Sequence, residues 1–115
     1  MAGSRRRPLA CVALTFAVLH IDATAAEVPT FALEIRDHLF YPSELVIPAD
    51  TKVKLIVTNT DPTPEEFESY ELNREKVIMG GARAIIFLGP LPPGTYPFFG
   101  EFNPKTAQGV VRVDP

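Results

Sequence analysis

Apolar and polar residues alternate with a period of two along most of the chain after residue 30. The alternation is clearest over residues 52–59, where Val53, Leu55 and Val57 fall on one face. Segments 31–36, 44–47, 82–88 and 109–113 show the same pattern and are rich in β-branched residues. This period predicts strands rather than helices. About seven short strands at this spacing predict an all-β sandwich of two sheets.

Turns are predicted where proline, glycine and aspartate cluster between these strands. Such clusters occur at residues 48–50, 61–64, 80–81 and 92–94. Residues 65–79 are the one stretch without a clear period. They are polar and irregular, so their pattern leaves a short helical turn open.

The N-terminus has the three parts of a secretory signal peptide. Three arginines at positions 5–7 precede a mostly apolar run over residues 9–21, and Ala23-Thr24-Ala25 follows as a cleavage motif. The apolar run is too short to span a bilayer. We therefore predict a signal peptide over residues 1–25 and a single exported, periplasmic domain over residues 26–115. An uncleaved membrane anchor is the alternative interpretation.

Cysteine content and charge narrow the chemistry of the predicted domain. Cys11 is the only cysteine and lies in the predicted signal peptide. Without thiolate, the domain cannot form a blue copper site, an iron–sulfur cluster or a cysteine zinc site. Removal of the signal takes three arginines and Asp22 from a chain of net charge −3, which leaves a net charge of −5. Such an acidic balance argues against nucleic acid as a partner.

The last quarter of the chain carries the most specific motif. Residues 94–109 read Gly-Thr-Tyr-Pro-Phe-Phe-Gly-Glu-Phe-Asn-Pro-Lys-Thr-Ala-Gln-Gly. This stretch resembles the closing ligand loop of cupredoxins, the small β-sandwiches that carry blue copper. Residues 40–47, Asn59 followed by Pro64-Glu65, and residues 93–96 resemble further cupredoxin segments in the same order. The resemblance covers nearly the whole predicted domain and implies a single cupredoxin-like Greek-key β-sandwich.

The same resemblance implies that all four copper ligands have been replaced. It places Glu65 at the first histidine, Gly100 at the cysteine, Asn103 at the second histidine and Gln108 at the methionine. The frame is therefore similar to that of a copper protein, while the chemistry must be different.

A closer similarity concerns residues 65–77 and 98–102. These stretches resemble cupredoxin-like proteins of bacterial periplasmic iron uptake, namely the FtrB-like proteins and the N-terminal domain of EfeO-type proteins. The resemblance implies a role in oxidising iron or handing it over. It also implies two partners, a periplasmic iron-binding protein and an inner-membrane iron permease.

We predict a metal site at the end of the sandwich where cupredoxin ligands converge. Its residues are Glu65, Glu68 and Glu101, with His38 and Asn103 in support. Carboxylate and amide oxygens with at most one imidazole suit ferric iron, manganese or calcium better than Cu(I). The alternative interpretation is a solvated acidic loop that binds no metal. Phe98, Phe99 and Phe102 alternate, so we expect one ring in the core and its neighbours at the same end as the site, where they form a candidate docking patch.

Three functions remain open on the sequence. The first is an accessory protein of iron transport that binds or relays ferrous or ferric iron or assists its oxidation. The second is a metal-free interaction module that docks on an iron-binding protein or permease. The third is a weak copper-binding protein that uses His38 and carboxylates. Nothing beyond assistance in ferrous iron oxidation is expected as enzymatic activity, because the sequence has no nucleophile motif and no phosphate-binding glycine loop.

Overall fold

The computed structural model describes residues 3–5, 13, 15, 17 and 27–115 of the chain. The predicted signal peptide therefore lies almost entirely outside the described residues. Within the described residues there is no helix long and apolar enough to cross a membrane. Residues 27–115 form nine strands: β1 (Thr30–Arg36), β2 (Leu39–Tyr41), β3 (Glu44–Pro48), β4 (Val53–Asn59), β5 (Glu65–Ser69), β6 (Arg74–Ile78), β7 (Arg83–Leu88), β8 (Gly94–Gly100) and β9 (Gln108–Asp114).

The strands form two sheets, which confirms the predicted all-β Greek-key sandwich. One sheet has the order β2-β1-β4-β7 and the other has the order β3-β9-β8-β5-β6. The pairs β1–β4 and β3–β9 are parallel, and the remaining pairs are antiparallel. The second sheet brings β5 beside β8, so the start of the acidic segment lies next to the end of the aromatic motif.

The hydrophobic core lies between the two sheets. Val53, Leu55 and Val57 are fully buried, as the alternation over β4 predicted. The centre holds three aromatic rings: the Phe40 ring meets the Phe98 ring edge-on at 4.9 Å between centroids, and the Phe67 and Phe98 rings stack at 5.0 Å. Burial of such side chains is the main favourable term in folding a domain of this size.

Residues 65–79 form a β-hairpin and not the helical turn that the sequence left open. Strands β5 and β6 pair in antiparallel register and are joined by the turn 70–73, in which Asn73 has a φ of 52°. Asparagine tolerates this left-handed conformation better than most residues. The alternation is hidden in the sequence because the inner face of β5 carries the polar residues Glu65 and Ser69 beside Phe67, so polar residues lie on both faces.

Candidate functional site

The loops between β1 and β2, β4 and β5, and β8 and β9 meet at one end of the sandwich. The Asp61 carboxylate accepts hydrogen bonds from the backbone N–H groups of Asp37 (2.7 Å) and His38 (3.0 Å). The Thr106 hydroxyl donates to the carbonyl of His38 at 2.8 Å. These bonds hold the tight turn at Asp37 and His38, both of which have positive φ. The hydrogen bond from the N–H of His38 is the largest cause that holds the pKa of Asp61 below its usual range.

Glu65 is the centre of this end of the molecule, and it is fully buried, with a relative exposure of 1%. One carboxylate oxygen accepts the backbone N–H groups of Glu66 (3.0 Å) and Phe102 (2.9 Å). The other oxygen accepts the side-chain amide of Asn103 at 2.7 Å. Three donors are enough to keep a buried carboxylate favourable, because hydrogen bonds to a charged group replace its lost hydration.

Position 100 is restricted to glycine, because the Glu65 carboxylate lies where a side chain would be. A Cβ atom built on Gly100 would lie 2.6 Å from Cδ of Glu65 and 2.6 Å from Cβ of Ala107. Real Cβ atoms do not approach other heavy atoms so closely. The space that a side chain at position 100 would need is therefore taken by Glu65.

The two other positions that the resemblance assigns to copper ligands brace the loop between β8 and β9. The Asn103 carbonyl accepts the N–H of Ala107 at 2.9 Å, and the exposed Gln108 amide donates to the carbonyl of Pro104 at 3.0 Å. The four positions offer neither thiolate nor imidazole; they hold Glu65, Gly100, Asn103 and Gln108. The Glu65 carboxylate lies where a side chain at position 100 would be, and it accepts the Asn103 amide. This set does not fit a type 1 copper ion.

A second group of carboxylates lies on the outer face of the β5–β6 hairpin. Glu66, Glu68 and Glu75 each place a carboxylate oxygen within 4.8 Å of the others. Residues of a strand alternate between faces, so Glu66 and Glu68 share the face opposite to Glu65, and Glu75 lies directly across from Glu68 in the register. We call these three residues the outer carboxylate cluster.

The electrostatics of the outer carboxylate cluster are dominated by mutual repulsion. A hydrogen bond shared with the Glu75 carboxyl is the largest cause that raises the pKa of Glu66 to about 7, followed by burial and by the neighbouring Glu68. Two like charges at this distance disfavour full ionisation unless a cation lies between them. The cluster can therefore hold either a shared proton or a cation.

The structure distributes the predicted site residues over separate places. Glu65 and Asn103 contact each other in the interior, whereas Glu68 lies on the opposite face of β5. Glu101 is exposed and is anchored beside Glu66 through its backbone N–H, at 2.9 Å from the Glu66 carbonyl. His38 has its Nδ1 atom 3.6 Å from an Asp61 carboxylate oxygen, and 47% of its side chain is exposed.

Sequence reasoning did not bring Glu75 into the site and left the contribution of Glu66 open. Two features of the sequence could have identified them. Glu66 and Glu68 are two positions apart, as residues on one face of a strand are, and Asn73 is a residue typical of turns. A hairpin at that turn places Glu75 across from Glu68. Recognition of the hairpin was the missing step.

Comparisons of sequence with known proteins agree with this architecture. The family model described as "Cupredoxin-like domain" matches residues 8–113. An uncharacterized protein of Rickettsia prowazekii (strain Madrid E) is 43% identical over 93 residues, which cover 81% of this chain and 74% of the relative.

Solved structures show the same fold at low sequence identity. The metal-binding domain of the Cu(I)-exporting P-type ATPase CopA of Streptococcus pneumoniae D39 has a TM-score of 0.66 and 14% identity, over 75% of this chain and 85% of that one. Auracyanin A, a "blue" copper protein of Chloroflexus aurantiacus, has a TM-score of 0.64 and 12% identity, over 74% and 98%. Amicyanin of Paracoccus versutus has a TM-score of 0.57 and 21% identity, over 78% and 88%.

Proposed function

Because this chain belongs to the cupredoxin-like domain family, yet has Glu65, Gly100 and Asn103 where the resemblance assigns copper ligands, we propose that it is an accessory protein of iron transport. It binds or relays ferrous or ferric iron, or assists the oxidation of iron on a partner. It does not carry electrons through a type 1 copper ion. The buried Glu65 carboxylate beside Gly100 is the observation against type 1 copper, and the similarity of residues 65–77 and 98–102 to iron-uptake cupredoxins supports the iron role.

The ligand chemistry of this end of the molecule supports a hard cation. The carboxylates near Glu65 that reach solvent are those of Glu68 and Glu101, and oxygen ligands suit iron(III), manganese, calcium or magnesium. A carboxylate set also stabilises the more highly charged ferric state over the ferrous state, because its negative charges interact more strongly with a trivalent ion. Ferric iron is therefore the form that such a site retains.

We further propose that the protein works in the periplasm beside an iron-binding protein and an inner-membrane iron permease. The support is the secretory pattern of the first 25 residues and the similarity of residues 65–77 to iron-uptake cupredoxins. Two large aromatic side chains, Tyr70 and Phe102, are exposed near the carboxylates, at 73% and 49%. Exposed aromatic residues are common at docking surfaces.

Two other functions remain as alternatives. A metal-free docking module is favoured by the complete hydrogen bonding of Glu65, which needs no metal for its stability. Weak copper binding is favoured by the fold, since auracyanin A is a "blue" copper protein and the CopA domain is the metal-binding domain of a Cu(I) exporter. In this chain it would depend on His38, whose imidazole is half-exposed.

Calorimetric titration of the purified protein separates the three functions. Ferrous iron is added without oxygen, ferric iron is added as a weak chelate, and Cu(II) is added in parallel. Saturable iron binding with weaker copper binding supports the proposal. Binding of neither metal, with capture of a periplasmic iron-binding protein, favours the docking module. Copper binding that is lost in His38→Ala favours the third function.

A further inference from the structure

We infer that the side of the sandwich between the edge strands β6 and β7 binds an extended segment of a partner protein in which acidic residues alternate with apolar ones. The segment adds to β7 as a further strand of its sheet. We call this surface the β6–β7 seam, and its residues are Arg74, Lys76, Arg83, Ile85 and Phe87. The inference goes beyond the proposed function, because binding at the seam needs no metal.

The free edge of β7 offers unpaired main-chain groups. β7 is the last strand of its sheet, and the N–H of Asn59 in β4 donates to the carbonyl of Ala82 just before β7. Bonded and non-bonded pairs alternate along an antiparallel ladder, so Arg83, Ile85 and Phe87 direct their main-chain groups away from β4. The N–H and carbonyl of Ile85 therefore face no strand of the described residues. Such an edge is a template for an added strand.

Two large apolar side chains stand on this free edge. Ile85 is 50% exposed and Phe87 is 45% exposed, whereas Ile86 and Leu88, which alternate with them, are buried in the core. Ile85 and Phe87 therefore share the outer face of the sheet, two residues apart. An added strand would cover them with its own side chains, and apolar cross-strand pairs stabilise such a contact.

Five cationic side chains surround the same edge. The chain has eleven lysine and arginine residues, of which three lie in the predicted signal peptide. Five of the other eight lie in the seam or beside it, namely Lys52, Lys54, Arg74, Lys76 and Arg83. Nζ of Lys52 is 4.9 Å from the centroid of the Phe87 ring, and Lys54 lies across from Phe87 in the register. None of the five forms an ion pair with a carboxylate of the described residues.

This charge selects an acidic partner rather than a second copy of the chain. Two copies joined through β7 would bring the cations of both edges together, and like charges oppose such a contact. An acidic segment is attracted to the same edge. A phospholipid surface could match the charge, but it offers no regular row of donors and acceptors to the main-chain groups of Ile85. An extended polypeptide satisfies both features.

The two faces of the added strand meet different surroundings. Lys76 lies across from the buried Phe67, so Lys76 and Arg74 are on the face of β6 that is turned toward the other sheet. Arg74 reaches that sheet, because its Nε donates to the carbonyl of Phe87 at 2.9 Å. Alternate residues of an added strand point toward these two cations or toward the outer face beside Ile85. Acidic residues suit the first row, and apolar residues suit the second.

The probe is the peptide Ac-Val-Glu-Val-Glu-Val-Glu-Val-NH₂, which has the inferred alternation. It is titrated into the isotope-labelled protein, and backbone amide signals and amide hydrogen exchange are followed by nuclear magnetic resonance. The same peptide with lysine in place of each glutamate is the matched control ligand. Lys76→Glu changes the seam, and Lys105→Glu is the matched control variant, because Lys105 is exposed in the loop between β8 and β9. Circular dichroism verifies that both variants are folded.

The acidic peptide is expected to shift the amide signals of β6 and β7 and to slow exchange of the Ile85 N–H, because that group gains a hydrogen-bond partner. Lys76→Glu is expected to weaken binding at least about fivefold, because an attraction becomes a repulsion, while Lys105→Glu binds like the wild type.

Four results would overturn the inference. They are no binding of the acidic peptide, equal affinity for the lysine peptide, equal affinity of Lys76→Glu and wild type, and binding without slower exchange in β7. Self-association of the protein through β7 in sedimentation would show that a second copy takes the edge. Binding of phosphatidylglycerol vesicles in place of the peptide would show that a lipid surface does. Each of these results leaves the proposed function standing, because no metal takes part in the assay.

Discussion

The hydrogen bond between Glu65 and Asn103 can be tested by exchanging the two functional groups. In Glu65→Gln, the remaining carbonyl oxygen can keep both backbone donors, but the new amide N–H₂ then faces the N–H₂ of Asn103. In Asn103→Asp, two carboxylates face each other instead. In the double variant, the new amide at position 65 donates to the new carboxylate at position 103, so donor and acceptor are matched again with the direction reversed.

The contacts set the size of each effect. The lost bond joins an amide to a charged carboxylate that is fully buried, and such bonds contribute about 1.5–3 kcal/mol. We therefore expect Glu65→Gln to lower the free energy of unfolding by about 2 kcal/mol, and Asn103→Asp to lower it by at least as much. The double variant should lose about 2 kcal/mol less stability than the sum of the two single losses, and this difference is the coupling energy of the pair.

The assay is equilibrium unfolding in urea, followed by far-ultraviolet circular dichroism. Glu101→Gln is the control, because it makes the same chemical change at an exposed residue of the same end and should alter stability by less than about 0.5 kcal/mol. The reasoning is refuted if the two single effects add up in the double variant to within about 0.5 kcal/mol. Such additivity would mean that Glu65 and Asn103 do not contact each other.

Three further perturbations follow from single contacts. Gly100→Ala should destabilise the protein by about 1–3 kcal/mol in urea unfolding, because the new methyl group overlaps Glu65, and an unchanged midpoint would contradict that packing. Asp61→Asn should be less stable than the wild type above the usual aspartate pKa; since folding lowers the pKa of Asp61, the difference should shrink as the pH falls through the folded-state value. A difference that is constant with pH would show that the bond from His38 does not hold the carboxylate ionised. Arg112→Ala should change stability by less than about 1 kcal/mol in the same assay, because both its ion pairs are about half exposed, and a loss of about 3 kcal/mol would show that they are worth more.

The sandwich could be predicted from the sequence because its strands bury one face each. Val53, Leu55 and Val57 alternate with more polar residues and reach the core as expected. Of the predicted turns, residues 49–50 and 80–81 fall between strands, where Asp50 and Gly81 adopt positive φ. Local pattern and final structure agree wherever burial alone decides the conformation.

The candidate site could be predicted only in part, because it depends on which face each carboxylate takes. The resemblance to cupredoxins brought Glu65, Gly100 and Asn103 together, and the structure places them in contact. It did not show that Glu65 and Glu68 lie on opposite faces of the sheet, as residues three positions apart in a strand do. That separation required recognition of residues 65–69 as a strand, and the acidic composition concealed the period.

The pairing of Glu68 with Glu75 is harder still to predict from the sequence. It depends on the register of the β5–β6 hairpin, which the length and conformation of the turn determine. A shift of one residue would place Glu75 on the other face and leave Lys76 beside Glu68. Register is a tertiary property, so the outer carboxylate cluster becomes visible only in the folded chain.

The most direct test is a crystal structure of the protein soaked in manganese(II), with data collected for anomalous scattering. We predict no anomalous peak in contact with Glu65, because the Asn103 amide and two backbone N–H groups already bond its carboxylate. A peak between Glu65 and Asn103 would contradict the account, because it would show that the copper position of the fold still accepts a metal ion.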